Sequence, residues 1–372
     1  MRIGFYSTMT GIAWGASEYL WSETALLLQQ RGHTVGVNYQ WQRRCPQRLA
    51  ELQSRGGKLF WRHGLVDQVQ QKFTNTLPWE QRHRQWLRRF APDFCLISAG
   101  SHTDNMSIGG VAHRLGIPFA TLVHCANTSH WITEATLEQH RQAYLNAQRC
   151  YFVSQENRDI LEIHLAAKLP QAEVVDNPLQ VTLTEPLPWP SSEVWQLACV
   201  ARLGCWQKGQ DLILGMLKQT KWRDRPLQVT FWGADQGNQS QLEDLVQLYG
   251  LQSQVKFGGF AQPETIWRQS HALLLPSRYE GMPMVTAEAM RCGRIAIVTA
   301  CGRNPDWVDE GETGFLATAP TVDSLDQALE RAWACRQRWP QMGHLAAQRI
   351  RDRYSPAPVP AFADALEALT QS

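Results

Sequence analysis

Short apolar runs alternate with longer segments of helical periodicity along the first half of the chain. An apolar run at residues 2–8 precedes a helical pattern at residues 17–31, after which Gly32 supplies a typical helix stop. Further apolar runs, typical of buried strands, lie at residues 34–39, 94–98, 119–123 and 149–153. Strands that alternate with helices pair in parallel, with helices on both faces of the sheet. The pattern therefore predicts an α/β fold built on a doubly wound parallel sheet.

A proline-rich stretch interrupts this alternation at residues 177–192, and such stretches are typical of linkers between domains. The alternation then restarts, with predicted strands at residues 195–201, 228–232, 255–257, 272–275 and 295–299. We therefore expect two Rossmann-like domains that span residues 1–180 and 181–353. Residues 354–372 follow as a proline-containing turn and a short amphipathic helix.

Composition narrows the class of protein. A length of 372 residues suits two domains, and 44% apolar with 19% charged residues excludes a disordered or coiled-coil chain. No run approaches the roughly 18 apolar residues that a membrane-spanning helix needs. The first residues lack the pattern of a signal peptide, so we expect a cytoplasmic protein. The nine cysteines are scattered singly without metal-binding spacing, which predicts buried free thiols and no metal site.

Positive charge is concentrated between residues 41 and 90, where eleven Lys and Arg face only three Asp and Glu. Four tryptophans (Trp41, Trp61, Trp79 and Trp86) are interleaved with these cations. One interpretation is a solvated helix face with the tryptophans in the core. The other is a basic surface for peripheral contact with an anionic membrane or for an anionic acceptor. The segment contains no recognised nucleic-acid-binding motif, so we expect no nucleic-acid partner.

Two glutamates lie on either side of a predicted helix start in the second half of the chain. Glu280 follows an apolar run and precedes a turn marked by Gly281 and Pro283, and Glu288 lies within the helical pattern at residues 284–292. In open α/β sheets, ligands bind at the carboxyl ends of the strands, where the N-terminus of the next helix favours phosphate. Ionised carboxylates accept hydrogen bonds from paired hydroxyls. This arrangement therefore suits a ligand that carries both phosphate and hydroxyl groups.

Two cations begin the same half of the chain. Arg202 ends the predicted strand at residues 195–201, and Lys208 with Gly209 precedes a predicted helix at residues 210–217. An arginine offers a two-pronged donor and a lysine a compact charge, so the two together would hold a diphosphate. An arginine and a lysine near a helix start are also common without function, and the residues alone leave this alternative open.

Together, these motifs resemble the retaining family-4 glycosyltransferases of the GT-B fold, the glycosyl transferases group 1. The matching patterns are R-x5-K-G at residues 202–209, E-G-x-P…E-A-M…G at 280–293 and G-x-T-G-F at 311–315. In the first domain, Gly11 and Gly15 resemble the family's glycine-rich first loop, and His124 resembles its mid-domain histidine. The resemblance spans nearly the whole chain.

The resemblance implies an enzyme that transfers a sugar from a nucleoside diphosphate sugar to an acceptor hydroxyl, with the anomeric configuration retained. The expected nucleotide is uridine diphosphate, with guanosine diphosphate second, and the acceptor is a glycan, a lipid or a small molecule. Arg202 and Lys208 would neutralise the diphosphate without a metal or other cofactor. Glu288 would bind the ribose hydroxyls, and Glu280 would bind the hydroxyls of the donor sugar.

The remaining site residues also follow from the resemblance. Backbone N–H groups around Gly281, Met284 and Val285 would contact the sugar and the phosphates, and Phe257 would lie near the nucleobase. Residues 1–180 would form the acceptor side, from which His124 and Gly15 would face the donor held in a cleft. The helix within residues 354–372 would pack back on the first domain. His124, Glu280, Arg202 and Lys208 form the predicted catalytic set.

Two other functions stay open. A glycosyltransferase-like subunit without activity would keep the nucleotide site, whereas a dinucleotide-dependent oxidoreductase would need a G-x-G-x-x-G loop that residues 11–15 do not provide. Two features depart from the family pattern, since Trp14 precedes Gly15 and Asp306 stands near an expected glutamate. Trp14, Trp131 and Trp206 adjoin the motifs; packing is their expected role, and stacking on a sugar or base is the alternative.

Overall fold

The chain folds into two units that each contain one parallel sheet. The computed structural model describes residues 1–10, 14–62, 78–181, 183 and 185–370. Unit 1 comprises Met1–Pro178 with Ala357–Ser372, and unit 2 comprises Leu179–Pro356. Both units are Rossmann-like α/β domains, which confirms the predicted fold class.

Unit 1 begins with β1 (Arg2–Ser7), a 3-10 turn (Ala16–Glu18) and α1 (Tyr19–Gln30). The following elements are β2 (Thr34–Gln40), α2 (Gln47–Ser54), β3 (Lys58–Arg62), α3 (Pro78–Phe90), β4 (Phe94–Ala99), α4 (Ser107–Arg114), β5 (Phe119–Val123), α5 (Glu134–Leu145), β6 (Arg149–Phe152), α6 (Gln155–Leu165) and β7 (Ala172–Val174). The seven strands are all parallel, in the order β3-β2-β1-β4-β5-β6-β7.

Unit 2 repeats the same scheme with six parallel strands. Its elements are β8 (Trp195–Val200), α7 (Cys205–Lys208), α8 (Gln210–Leu217), α9 (Thr220–Arg223), β9 (Leu227–Trp232), α10 (Gln239–Leu248), β10 (Val255–Gly259), α11 (Pro263–Arg268), β11 (Ala272–Leu275), α12 (Met284–Arg291), β12 (Ile295–Thr299), α13 (Asn304–Trp307), β13 (Gly314–Ala317), α14 (Val322–Ala334), a 3-10 turn (Arg336–Arg338) and α15 (Trp339–Arg353). The strand order is β10-β9-β8-β11-β12-β13. Central strands such as β11 and β12 are fully buried, as expected for a parallel sheet covered on both faces.

The last helix, α16 (Pro358–Leu369), belongs to unit 1 and packs against α1. Phe362 and Leu366 are buried, and the Phe362 ring meets Tyr151 edge-on at a centroid distance of 4.9 Å. At the surface, Arg31 contacts Glu367 at 2.5 Å. Exposed ion pairs contribute little to stability, so the apolar side chains are the main anchor of this helix.

The strand order reverses once in each sheet, between β1 and β4 in unit 1 and between β8 and β11 in unit 2. At such a reversal the connections leave the two strands on opposite faces of the sheet, and a crevice opens at the carboxyl ends. These two places are therefore where each unit is built to hold a ligand.

The basic segment at residues 41–90 is not a single surface. Residues 58–62 form β3 and pair with β2, and Trp86 packs in the core of unit 1. Arg62 is buried, whereas Trp41 is about half exposed. Residues 63–77 of this segment, like Gly11 in the first loop, lie outside the described residues. Over the described ranges, no helix combines the length and the apolar character that crossing a bilayer requires.

Candidate functional site

Lys208 lies in the connection that leaves β8 at the strand-order reversal of unit 2. The short helix α7 ends at Lys208, and Gly209 then adopts a left-handed conformation with φ +69° before α8 begins. A Cβ atom at Gly209 would lie 2.2 Å from the carbonyl oxygen of Pro276, in the loop after β11. Only glycine permits this approach, which brings the Lys208 segment against the loop that carries Glu280.

Lys208 and Glu280 form an ion pair. The Lys208 Nζ atom lies 2.6 Å from Glu280 Oε1, and the side chains are only 16% and 7% exposed. Ser277 Oγ donates a hydrogen bond of 2.7 Å to the same oxygen. The other carboxylate oxygen, Oε2, has no hydrogen-bond partner in the part of the chain that the structure describes. Each charge therefore fixes the other, and one carboxylate oxygen is left to accept from a ligand.

The loop that carries Glu280 is held from two sides. Arg278 makes a two-pronged ion pair with Asp211 of α8, at 2.8 and 2.7 Å. On the other side, Gly302 (φ +57°) packs so closely that a Cβ atom there would lie 2.4 Å from the Gly281 carbonyl oxygen. These contacts position Glu280 without touching its carboxylate, and the sequence pattern did not indicate them.

Arg202 occupies the same connection and is half-buried. Gly233 (φ +144°), which follows β9, packs against the backbone next to Arg202. A Cβ atom at Gly233 would lie only 2.1 Å from the Ala201 carbonyl oxygen. The side-chain amide of Gln210 donates to the Arg202 carbonyl at 2.9 Å. Within the described ranges, no hydrogen bond or ion pair reaches the Arg202 guanidinium. Its charge is thus available for an anion.

Helix α12 starts directly after this loop, and its N-terminus has free backbone donors. Among the described residues, no acceptor bonds the N–H groups of Met284 and Val285, and the preceding Pro283 supplies no side-chain cap. Free N–H groups and the positive end of the helix dipole favour an anion at such a position. Gly281 lies in the turn that leads into this helix and is buried.

Glu288 lies one turn into α12 and is buried. Burial raises the pKa of its carboxyl group to about 7, although a hydrogen bond from the Gln180 backbone N–H partly offsets this effect. Without a ligand, this carboxyl group is therefore close to half-ionised at neutral pH.

Aromatic side chains adjoin the site. Phe257, in β10, is half-buried and meets Phe231 edge-on at 5.5 Å. Trp206 is 54% exposed, and its ring lies 5.8 Å from that of Tyr279, the residue before Glu280. Trp131 is 59% exposed and stacks on the His164 ring at 4.2 Å. Neither tryptophan lies in the core, and a packing role at the surface stays a prediction for both. Trp14, by contrast, packs against three aromatic rings, those of Tyr19, Trp21 and Tyr39.

His124 and Gly15 lie in unit 1. His124 follows β5, is buried, and has its Nε2 atom 3.2 Å from Ser98 Oγ, while its buried Nδ1 atom has no partner among the described residues. Burial lowers the pKa of His124 to about 3, so the ring is neutral at physiological pH. Gly15 has an extended backbone, and a Cβ atom there would lie at an ordinary 3.5 Å from Ser17 Oγ. Among the described residues of unit 1, neither space nor backbone conformation requires glycine at this position.

The structure thus brings Lys208 and Glu280 into contact and places Arg202, Gly281 and the start of α12 in the connections around the same reversal. Asp306, the residue that departs from the family pattern, is exposed and pairs with Arg303 at 3.1 Å. Asn304 instead ties this segment to α12, since its Oδ1 atom accepts from Thr286 at 2.8 Å. In the described part of the chain, no three His, Cys, Asp or Glu residues are arranged to hold a metal ion. The expected independence from metals stays a prediction.

Comparison with known proteins relates this geometry to a family. Residues 189–349 match the family model "Glycosyl transferases group 1". Over 137 residues, 37% of the chain, the sequence is 30% identical to the glycogen synthase of Pseudomonas syringae pv. syringae (strain B728a). The matched part spans only 28% of that synthase.

Two solved structures are similar over the whole length. One is HepE from Anabaena in complex with UDP, with a TM-score of 0.75 and 18% identity, covering 99% of this chain and 100% of that one. The other is a glycosyltransferase from Rickettsia africae ESF-5, with a TM-score of 0.76 and 13% identity, covering 100% and 99%. The protein therefore has the GT-B fold, and the part of unit 2 at residues 189–349 matches the glycosyl transferases group 1 model.

Proposed function

We propose that the protein is a retaining, family-4 glycosyltransferase that moves a hexosyl group from a nucleoside diphosphate sugar to an acceptor hydroxyl. The observation that carries this proposal is the Lys208–Glu280 ion pair at the strand-order reversal of unit 2. A cation for phosphate and a carboxylate for hydroxyls are held at one point, where a nucleotide sugar offers both groups. The similarity to HepE, solved with UDP, supports a uridine diphosphate donor, with guanosine diphosphate as the second choice.

Arg202, Lys208 and the first N–H groups of α12 would bind the diphosphate. Negative charge grows on this group as the bond to the sugar breaks, so fixed donors and cations stabilise the transition state more than the ground state. Three such groups would act without a metal ion. In the structure, Lys208 pairs with Glu280, and the diphosphate would replace Glu280 as the partner of Lys208.

Glu280 and Glu288 would bind hydroxyl groups. The Oε2 atom of Glu280 would accept from the donor sugar, and Glu288 would accept from the ribose in its ionised form. Neither carboxylate serves as a nucleophile in this scheme. The acceptor oxygen forms its bond to the anomeric carbon on the face from which the diphosphate leaves, and the acceptor proton passes to the departing phosphate oxygen.

The roles of Phe257, His124 and Gly15 rest on the family resemblance. Phe257 would contact the nucleobase. His124, neutral because of its burial, would donate or accept a single hydrogen bond but would not neutralise the diphosphate. The described residues around Gly15 leave room for a Cβ atom, so the absence of a side chain there would serve a ligand.

Calorimetric titration of the full chain with uridine, guanosine and adenosine diphosphates, in chelator, tests the donor site. We expect one nucleotide to bind, and Lys208→Ala to weaken that binding strongly. A turnover assay with the corresponding nucleotide sugars then tests transfer. Binding without turnover on any acceptor would favour a non-catalytic subunit, and the absence of any nucleotide binding would contradict the proposed site.

A further inference from the structure

Unit 1 contains a cavity of about 300 Å³ at the carboxyl ends of β2 and β3. Its described lining consists of three arginines, two amides and three aromatic residues, without a carboxylate. These residues are Asn38, Phe60, Trp61, Arg62, Arg82, Gln85, Trp86 and Arg89. The cavity lies beside the edge strand β3, away from the strand-order reversal between β1 and β4, so its lining and not the topology points to a ligand.

Arg62 is fixed in place by its neighbours. Its guanidinium donates to the backbone oxygen and to the side-chain oxygen of Asn38, at 3.0 and 2.7 Å, and to the carbonyl of Ser7. It also lies 4.3 Å from the centre of the Tyr6 ring. None of these partners carries a negative charge, and no carboxylate pairs with Arg62 in the described ranges. The buried Glu18 carboxyl group acts on Arg62 electrostatically without pairing with it, and burial raises the pKa of that carboxyl group to about 7. An anion in the cavity would therefore add counter-charge to Arg62.

The positive charge of the cavity extends to α3. Arg89 projects over the Phe60 ring, 5.8 Å from its centre. His83, on the same helix, is 2% exposed, and burial together with the charges of Arg62 and Arg82 lowers its pKa to about 3. His83 therefore stays neutral and adds no charge, while its pKa reflects the positive potential around it.

We propose that this cavity binds the phosphate ester of a small polyol, either a soluble sugar phosphate or the headgroup of a phospholipid. Guanidinium groups bind phosphate oxygens in pairs, amides suit hydroxyls, and the rings of Phe60 and Trp61 offer apolar faces for a sugar ring. The volume lies at the lower end of the roughly 300–1,000 Å³ typical of ligand pockets, which fits one sugar-sized group. A role for this ligand as the acceptor rests on the proposed glycosyl transfer; its binding does not.

Helix α3 offers matched variants for a test. Arg84, Arg88 and Arg89 are all exposed on this helix, but of the three only Arg89 lines the cavity. The probes are inorganic phosphate, glucose 6-phosphate, and vesicles of phosphatidylcholine with and without phosphatidylinositol, each titrated against the full chain by calorimetry. We expect Arg89→Gln to weaken the best probe roughly 10- to 100-fold, the value of one charge-assisted hydrogen bond. Arg84→Gln and Arg88→Gln should change it less than about threefold.

The outcomes distinguish a soluble sugar phosphate from a lipid headgroup, and both of these from diffuse surface charge. Glucose 6-phosphate binding that depends on Arg89 identifies a soluble ligand, and vesicle binding with the same dependence identifies a headgroup. Equal losses in all three variants, with strong weakening by salt, would mean diffuse surface charge and would overturn the proposal. Wild-type protein that binds none of the probes would overturn it as well. Uridine diphosphate binding, measured in parallel, should be unchanged in Arg89→Gln, so failure of the donor site is seen separately.

Discussion

Two substitutions that break the same ion pair should move nucleotide binding in opposite directions. Lys208→Ala removes the cation that would hold the diphosphate and leaves the Glu280 carboxylate in its place. Glu280→Gln keeps the cation and removes the negative charge that pairs with it at 2.6 Å, leaving a neutral amide oxygen that accepts a weaker hydrogen bond. Because uridine diphosphate lacks the donor sugar that Glu280 would bind, it loses no contact in the second variant. We therefore expect weaker binding of uridine diphosphate in Lys208→Ala, and equal or tighter binding in Glu280→Gln.

The magnitudes follow from the burial of the pair. Either substitution leaves a mostly buried polar group without its partner, which should lower the free energy of unfolding by about 1–3 kcal/mol. Lys208→Ala removes one charge-assisted hydrogen bond, worth about 1.5–3 kcal/mol. The affinity of this variant for uridine diphosphate should therefore be roughly 10- to 150-fold lower than that of the wild type. The expected loss in kcat/KM is larger, on the order of 30- to 1,000-fold, because charge grows on the leaving group. Glu280→Gln should lose a comparable factor in kcat/KM while its nucleotide binding is kept.

The assay pairs calorimetry of uridine diphosphate with denaturant unfolding of each variant. Lys221→Ala is a matched control, since it breaks an ion pair of 2.6 Å with Asp326 in the same unit. That variant should leave nucleotide affinity unchanged, which separates loss of an ion pair from loss of the site. Equal weakening of uridine diphosphate binding in Lys208→Ala and Glu280→Gln would refute the competition argument. A change below about threefold in Lys208→Ala would show that the diphosphate site has been misplaced.

Three further predictions concern single positions. Glu288 should bind ribose in its ionised form, so nucleotide affinity should rise as pH increases through about 7 and level off above it; calorimetry at pH 6 and 8 should show no such slope in Glu288→Gln. The raised pKa of Glu288 also means that its ionisation destabilises the fold. Above pH 7, the free energy of unfolding of Glu288→Gln should therefore exceed that of the wild type by up to about 3 kcal/mol. This difference should vanish as the pH falls towards 4.5, the ordinary pKa of a glutamate. Gly209→Ala should lower the melting temperature clearly more than Gly32→Ala, because both have positive φ but only Gly209 meets a backbone oxygen, at 2.2 Å; similar losses would refute the close-approach argument.

The sequence pattern predicted the central strands and one edge strand, β10, but missed the other three edge strands. The predicted ranges 272–275 and 295–299 coincide with β11 and β12, which are buried on both faces and have continuous apolar runs. The strands that the pattern missed, β3, β7 and β13, all lie at an edge of a sheet. An edge strand is covered less, so it tolerates charged and small residues, as in the sequence Lys-Leu-Phe-Trp-Arg of β3. That tolerance explains why residues 58–62 were included in a basic segment of unknown structure.

The motifs named Lys208 and Glu280 as separate ligand-binding groups, but no spacing rule indicates that residues 72 positions apart neutralise each other. The Lys208–Glu280 ion pair affects which ligands the site binds most tightly. A ligand that offers only phosphate must displace Glu280 from Lys208 and leave a buried carboxylate with Ser277 alone, which costs free energy. A ligand that also carries hydroxyls at the right distance restores partners to both charges. Wild-type protein should therefore bind an intact nucleotide sugar more tightly than the free nucleotide. This difference should shrink in Glu280→Gln, where the neutral amide competes less strongly with the nucleotide for Lys208.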